Sequence, residues 1–464
     1  LILPSHFGIG VFFVNNGLDF LNILEQICHD HDIDIIALRQ LKLDKKLLGE
    51  VAKKTCPKIY HLFVKPKTGN EERLEINLYK IKKLLDKKFN PEKELYCVSF
   101  SSETIVYKGL VQPKYFSKFY KDLSDPDHKS ASAVFHIRFS TNTSPKWYLA
   151  QPYRVLAHNG EINTISGNRN WAQARTKIFS SKKLGNLTAY EPLIGQSGSD
   201  SSSLDHILDL FTNGGINIGR AARMLIPPSW QNTDLMDADE KAFHEYNSMH
   251  MEAWDGPAFV CYQSKLYAAC FLDRNGLRPA RIEIFDDGTV SVASEVGSNY
   301  TSGIKPINTG RLGPGGLMLF DRTTNSLLLD EEVDKVLSRS NPYREWLKQK
   351  SKHLEANLHE YSGPQMREIS NSYFADSAKA FQLSKEEIST LFQYSEHGGE
   401  PTGSMGDDTP LAPISNKIRS IYDFCRQKFA QVTNPPIDSL REKSAMSLET
   451  CIGPELNIFE ETAE

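Results

Sequence analysis

PAFVCYQSKLYAACFLDRNGLRPARIEIFDDGTVSVASEV, residues 257–296, is built of four strand-like runs separated by QSK, DRNG and DDG. Turn signals at such short spacing predict an antiparallel meander. RLGPGGLMLFD (311–321) and NSLLLDEEV (325–333) extend it, and NPYREWLKQK (341–350) then opens a helical, more polar region. A boundary is expected near 335–350. Upstream, strand-like FGIGVFFVN, DIIALRQL, KIYHLFVKP and ELYCVSFSSETIVYKG alternate with helical LDFLNILEQIC and a lysine-rich helix near 71–88. That alternation is a mixed α/β layer pattern. Further helices are expected near 166–179, 201–212, 384–394 and 416–430.

The 464 residues suggest two or three domains. A hydrophobic fraction of 40% and a charged fraction of 24% are those of an ordinary globular chain. The net charge of -4 points to no nucleic-acid partner, and the sequence contains no run of the roughly 18 apolar residues a membrane span needs. Lysines in LKLDKKLL and YKIKKLLDKKF recur between Leu and Ile at helical spacing, which reads as a solvated helix face. The seven cysteines (28, 56, 97, 261, 270, 425, 451) fit no zinc, iron–sulfur or secreted disulfide spacing, so reduced thiols in a cytosol-like compartment are expected and no metal site is assigned.

Candidate chemistry gathers around HNGEINTISGNRNW, residues 158–171. An Asn side-chain amide and an adjacent Gly N–H at a strand end can form a two-donor pocket for an oxyanion, because glycine lets the backbone approach without a Cβ. Asn159 and Gly160 are that pair. In HIRFSTN, Arg138 and His136 fall on one face of an alternating run, and an arginine there can hold a carboxylate through two parallel hydrogen bonds. Asp200 in GSDSSS can accept an ammonium, beside serines suited to cap the following helix. His136 reads as a packed residue. Taken singly, Asn-Gly is a turn, the arginine a surface ion pair and Ser-Asp-Ser a cap. Together they describe an α-amino acid whose side-chain carbonyl is attacked.

HIRFSTNTSPKWYLAQPYRVLAHNGEINTISGNRNW resembles the glutaminase domain of the glutamate synthase large subunit nearly residue for residue. The resemblance continues through IGQSGSDSSSLD, MLIPPSWQN, EAWDGPAFV, LDRNGLRPAR, SEVG, RLGPG and PYREWL. EPTGSMGDDTPLA and FAQVTNPPIDSLRE resemble the start of that family's central domain. Other class-II amidotransferases share only the Arg, Asn-Gly and Asp elements, whereas the MGDDTP and NPPID blocks single out glutamate synthase.

The resemblance implies an N-terminal-nucleophile fold, an αββα sandwich of two antiparallel sheets, over residues 1–345, and the beginning of an α/β central domain over 346–464. It implies L-glutamine as substrate, Asn159 and Gly160 as the oxyanion hole, Arg138 with Thr141 on the substrate carboxylate, and Asp200 on its ammonium. In that family the nucleophile is an N-terminal cysteine thiol with its own α-amino group as base. Residue 1 here is Leu, so the catalytic cysteine is expected in a segment upstream of this chain, and the chain alone is expected to be inactive. FMN and an iron–sulfur cluster are implied for domains downstream, where the released ammonia aminates 2-oxoglutarate; none is expected within the chain. The implied partners are the downstream synthase domain and, as electron source, a small subunit or ferredoxin, in the cytoplasm or, with an upstream transit peptide, a plastid. A non-catalytic glutamine-binding or structural relative is the alternative, although such a relative would have had no reason to keep the oxyanion pair. The loop bearing Gly403, Gly406, Asp407 and Asp408 reads as a structural Asx-rich turn.

Overall fold

The computed structural model describes residues 6–15, 20–69, 71–137, 144–196, 198–231, 236–298, 304–352, 371–398, 416 and 451–463. Arg138, Thr141, Cys425 and the loop from Gly403 to Asp408 lie outside them. Two compact units are present: one comprises residues 1–351 together with 448–464, the other 352–447. The last seventeen residues, which the sequence reading grouped with the second domain, thus return to the first unit.

The first unit holds a four-stranded antiparallel sheet in the order β2-β3-β1-β4, from β1 (Gly8–Val14), β2 (Ile33–Gln40), β3 (Lys58–Pro66) and β4 (Leu95–Ser101). Strand alternation sends Phe12 and Val14 to one face, against α1 (Leu21–Asp30) and α3 (Leu74–Lys88), with Leu62, Val64 and Phe100. Val11, Phe13, Ile59 and Val98 turn to the other, where Leu48, Phe119, Tyr120 and Trp147 cover them. Both faces of β1 are therefore closed. The short α2 (Glu50–Lys54) and α4 (Pro113–Phe119) belong to this second layer.

The lysine-rich helix corrects the sequence reading. Lys82 and Lys83, expected on a solvated face, are only 3% and 4% exposed. Burying an ammonium is costly unless it is paired. Lys82 Nζ meets Asp86 Oδ2 at 2.7 Å, and Lys83 Nζ donates to the carbonyls of Pro192 and Leu193 at 3.3 and 2.9 Å. The pattern of Leu and Ile placed the helix correctly but could not reveal that a second helix layer closes over its charged side.

The second sheet is five-stranded, in the order β14-β13-β9-β8-β5, where β5 is Leu156–Gly160, β8 Ala258–Gln263, β9 Tyr267–Leu272, β13 Leu317–Asp321 and β14 Ser326–Leu328. The two-residue strands β6 (Ser180–Ser181) and β7 (Gly185–Asn186) form a separate small hairpin. Leu156, Val260, Tyr262, Phe271, Leu317 and Leu319 pack into the largest core beneath α6 (Asp200–Gly214), α7 (Ile218–Leu225) and α8 (Ala238–His250). On the opposite face Phe259, Leu272 and Met318 meet Ile282, Val290 and Val292 of a three-stranded sheet, β11-β10-β12. Its strands are β10 (Arg281–Ile284), β11 (Val290–Ala293) and β12 (Asn308–Arg311). Antiparallel sheet on antiparallel sheet with helices outside is the layering of the expected αββα class. The meander of 257–296 does form four strands, but it changes sheets at DRNG, so one hairpin lies in each layer rather than four strands in one. α5 (Ile165–Arg175), α9 (Asp330–Ser338) and α10 (Tyr343–Lys350) complete the unit.

The chain end seats on this helical layer. Arg175 forks onto the Glu455 carboxylate at 3.1 Å through both Nε and Nη2, and Arg220 Nη1 donates to the Ile458 carbonyl at 2.9 Å. The Phe459 ring lies edge-on to Phe179 and Phe211, over Gly214, where a Cβ would approach the ring to 2.1 Å. Glu461 binds Tyr343 and Arg220. In the second unit the described residues form α11 (Asn371–Ala380) and α12 (Lys385–His397), the latter with a capping box between Ser384 and Glu387.

Candidate active site

β5 is an edge strand, paired only with β8 among the described residues. Its register sets Asn159 opposite Phe259 and Ala157 opposite Cys261, so the Asn159 side chain emerges on the sheet face turned away from the helices. That face opens into a cavity of about 2060 Å³, lined among others by His136, Asn159, Gly160, Asp200, Arg278 and Phe320. Neither oxygen nor nitrogen of the Asn159 amide makes a hydrogen bond to the described residues.

The direction of the Gly160 N–H follows from the ladder. His158, two residues earlier, sends both backbone groups away from β8: its N–H donates to Gln151 Oε1 at 2.7 Å, and its C=O accepts from Gln151 Nε2 at 2.9 Å. The 158/260 pair is therefore a non-hydrogen-bonded one, and alternation makes 160/258 another. Ala258 agrees, since its N–H goes to Asp273 Oδ1 at 3.0 Å and its C=O takes the Asp273 N–H at 2.9 Å. The Gly160 N–H consequently faces the open edge. Only glycine fits here, because a Cβ on residue 160 would stand 1.9 Å from the Pro257 carbonyl oxygen. The two donors expected from the sequence, side-chain amide and backbone N–H, are thus presented to one space.

Asp200 is the first residue of α6. The cap is Ser199, whose Oγ accepts from the Ser202 N–H at 3.1 Å; the serines after Asp200, expected as caps, lie inside the helix. Asp200 Oδ2 accepts from the Ile162 N–H at 2.8 Å, which ties the carboxylate to the chain just beyond Gly160 and leaves Oδ1 without a partner among the described residues. Arg169, in the GNRNW part of α5, fastens the loop ahead of α6. Its Nε donates to Ser203 Oγ at 3.0 Å, and its Nη groups reach the carbonyls of Gln196, Gly198 and Ser199 at 3.3, 3.1 and 3.2 Å. Tyr153 Oη adds a 2.7 Å hydrogen bond to Ser199 Oγ.

His158 is buried and bonded through Nδ1 to Ser201 Oγ at 2.8 Å. Burial pushes its pKa down to about 4, with His136 and Arg278 adding to the effect against the pull of Asp200, so the ring is neutral near pH 7. Burial also lowers His136. Residues 132–137 alternate in exposure as the sequence predicts but form no strand; their start is pinned by Arg322, which binds the Ser132 hydroxyl. Two thiols, Cys261 and Cys270, share the cavity face with Sγ atoms 3.5 Å apart. The hydrogen bond it donates to Cys261, together with burial, raises the Cys270 thiol well above its ordinary range, which keeps it protonated and poorly nucleophilic.

Asn159, Gly160 and Asp200 were legible from residue type. Gln151, Arg169 and Tyr153 were not, because their contribution lies in the hydrogen bonds they make to the chain around His158 and Ser199 once it is folded.

Comparison with known proteins agrees with this geometry. Residues 2–346 match the class-II glutamine amidotransferase family, and residues 376–464 match the glutamate synthase central domain. A ferredoxin-dependent glutamate synthase of Antithamnion sp. is 38% identical over 94% of this chain and 29% of its own length. The chloroplastic/mitochondrial ferredoxin-dependent glutamate synthase 1 of Arabidopsis thaliana is 37% identical over 98% and 29%. The glutamate synthase [NADPH] large chain of Bacillus subtilis is 36% identical over 97% and 30%. The chain spans about three tenths of the length of these curated relatives. With an edge strand that presents Asn159 and Gly160 beside the Asp200 carboxylate, and with that family match over most of its length, the chain belongs to the class-II glutamine amidotransferases of the glutamate synthase type.

Proposed function

We propose that residues 1–345 bind L-glutamine in the cavity beside β5 and serve its hydrolysis to glutamate and ammonia within a glutamate synthase, and that residues 346–464 begin its central domain. The observation that carries this reading is the convergence of two hydrogen-bond donors and one carboxylate on a single cavity. Asp200 Oδ1 takes the substrate ammonium, and Arg138 with Thr141, assigned by motif, take its carboxylate. The side-chain amide of glutamine then reaches Asn159 Nδ2 and the Gly160 N–H. When a thiolate adds to the amide carbon, the carbonyl oxygen becomes an anion that both donors stabilise more strongly than the neutral carbonyl. Ammonia leaves, the thioester forms, and water releases glutamate under the same pair of donors.

The thiol itself is assigned to an N-terminal cysteine with a free α-amine, which no cysteine at an internal position of this chain can supply. In the whole protein the ammonia passes to the domain that aminates 2-oxoglutarate, with FMN and an iron–sulfur cluster there. Electrons come from ferredoxin or a small partner subunit, the two donor types named among the relatives being ferredoxin and NADPH. A cytoplasmic or plastid location follows the same relatives, and no helix of the described residues is long and apolar enough to cross a membrane.

The test is Asn159→Ala in the complete enzyme. Glutamine-dependent turnover falls by about 10² to 10³ in kcat, the cost of one oxyanion donor, while the reaction supplied with free ammonia keeps its rate. Undiminished glutaminase kcat would remove the oxyanion role and with it the proposed function.

A further inference from the structure

We infer that Gln151 is a positioning residue for the oxyanion pair, its side-chain amide standing in for the second neighbouring strand that β5 lacks among the described residues. This rests on the glutaminase reading above. An edge strand ordinarily leaves alternate N–H and C=O groups to solvent or to any chain that pairs with it. On β5 the open-edge groups are instead filled locally. The Leu156 carbonyl accepts the Tyr153 N–H at 2.8 Å, and both backbone groups of His158 are taken by the one Gln151 amide, at 2.7 and 2.9 Å. That two-bond exchange has the donor and acceptor pattern of a strand pair, made by a side chain seven residues away.

The next outward-facing group along the same edge is the Gly160 N–H. Its direction depends on the phase of the pleat at His158, because a one-residue slip exchanges the outward and inward sets of groups. Such a slip would turn the Gly160 N–H onto β8 and the Asn159 side chain toward the helices. Two contacts hold the phase. His158 is fixed on its ring by Ser201 from the helix-covered face and on its backbone by Gln151 from the open edge. Filling the edge also stops a foreign strand from extending the sheet at the donors. Gln151 thereby acts on the oxyanion through the backbone between 158 and 160, without needing to touch it.

The experiment uses the complete enzyme with Gln151→Leu, Gln151→Glu and Asn159→Ala, read by glutaminase kcat and KM and by amide hydrogen exchange over residues 156–162. Gln151→Leu is expected to lose about 10- to 100-fold in kcat, the scale of a misplaced catalytic group, with KM for glutamine within about twofold. Exchange across 156–160 accelerates. Gln151→Glu keeps the shape and the acceptor for the His158 N–H but loses the donor to its carbonyl, and so falls between wild type and the leucine variant; it also decides the matter if the leucine variant does not fold. Wild-type kcat in both Gln151 variants, with Asn159→Ala inactive, overturns this inference alone. A raised KM at unchanged kcat overturns it too, since Gln151 would then be a substrate contact. Full activity in Asn159→Ala overturns the glutaminase reading underneath.

Discussion

The two larger sheets of the first unit use the same antiparallel ladder to opposite ends. In the four-stranded sheet, β1 lies between β3 and β4 and is covered on both faces, so its backbone pairs with a strand on either side and Val11 to Val14 all enter a core. In the five-stranded sheet, β5 has one partner among the described residues, one face on helices and one face on a cavity. The proposed chemistry lies on the second. A backbone N–H can stabilise an oxyanion only where the ladder leaves it unspent, and an open edge is the place in a sheet where that occurs.

Truncation at the closed sheet is the severest way to test this contrast. Phe12→Ala, at a position with no exposed surface, is expected to cost about 3–5 kcal/mol in urea unfolding of the chain. Loss of less than about 1 kcal/mol would mean that the sheet is not closed. At the open edge the expected loss is functional: Gly160→Ala drives a Cβ into the Pro257 carbonyl, turns the N–H aside and lowers glutaminase kcat of the complete enzyme by about 10² or more. A variant with normal turnover would put the donor elsewhere. Phe320 lies half-buried on the cavity face, so Phe320→Ala should cost only about 1–2 kcal/mol in the same unfolding assay, well below Phe12→Ala. Equal costs would erase the difference between the two faces.

The last test concerns pH. His244 stacks on Trp230 in the helical layer, and burial, with Arg223 adding, pushes its pKa down to about 3. A histidine held below its unfolded value contributes stability that is complete above pH 6.5 and is lost as pH falls from there toward 3. His244→Gln should flatten the acid limb of stability against pH by up to about 1.4 kcal/mol per pH unit in that window. An unchanged slope would show that the ring titrates in the fold as it does in the unfolded chain.

Most strands were readable because their alternation and turn residues are local. β1, β3, β8, β9, β10 and β11 fall where FGIGVFFVN, KIYHLFVKP and the runs of 257–296 put them. Two features were not readable, for one physical reason. The division of that meander between two sheets at DRNG depends on Asp273 gathering the N–H groups of Ala258, Asn275 and Leu277. The burial of Lys82 and Lys83 depends on Asp86 and on carbonyls 109 and 110 positions away. Each rests on a polar contact distant in sequence, Asp273 with Ala258 and Lys83 with Pro192 and Leu193, whose partners only the fold brings together. The same holds within the site, where Asn159, Gly160 and Asp200 announce themselves by residue type and Gln151 does not. Arg138 and Thr141 lie outside the described residues, and their carboxylate role stays with the motif.

The chain leaves the first unit at residue 351 and re-enters it at 448, so the segment around Glu455, Phe459 and Glu461 is bound to its own protein as a tethered ligand. Cleavage within 352–447 would turn that ligand from an intramolecular one, held at the high local concentration a linker confers, into one that must find its groove from solution. A nicked chain should therefore hold together at high concentration and shed its last residues on dilution.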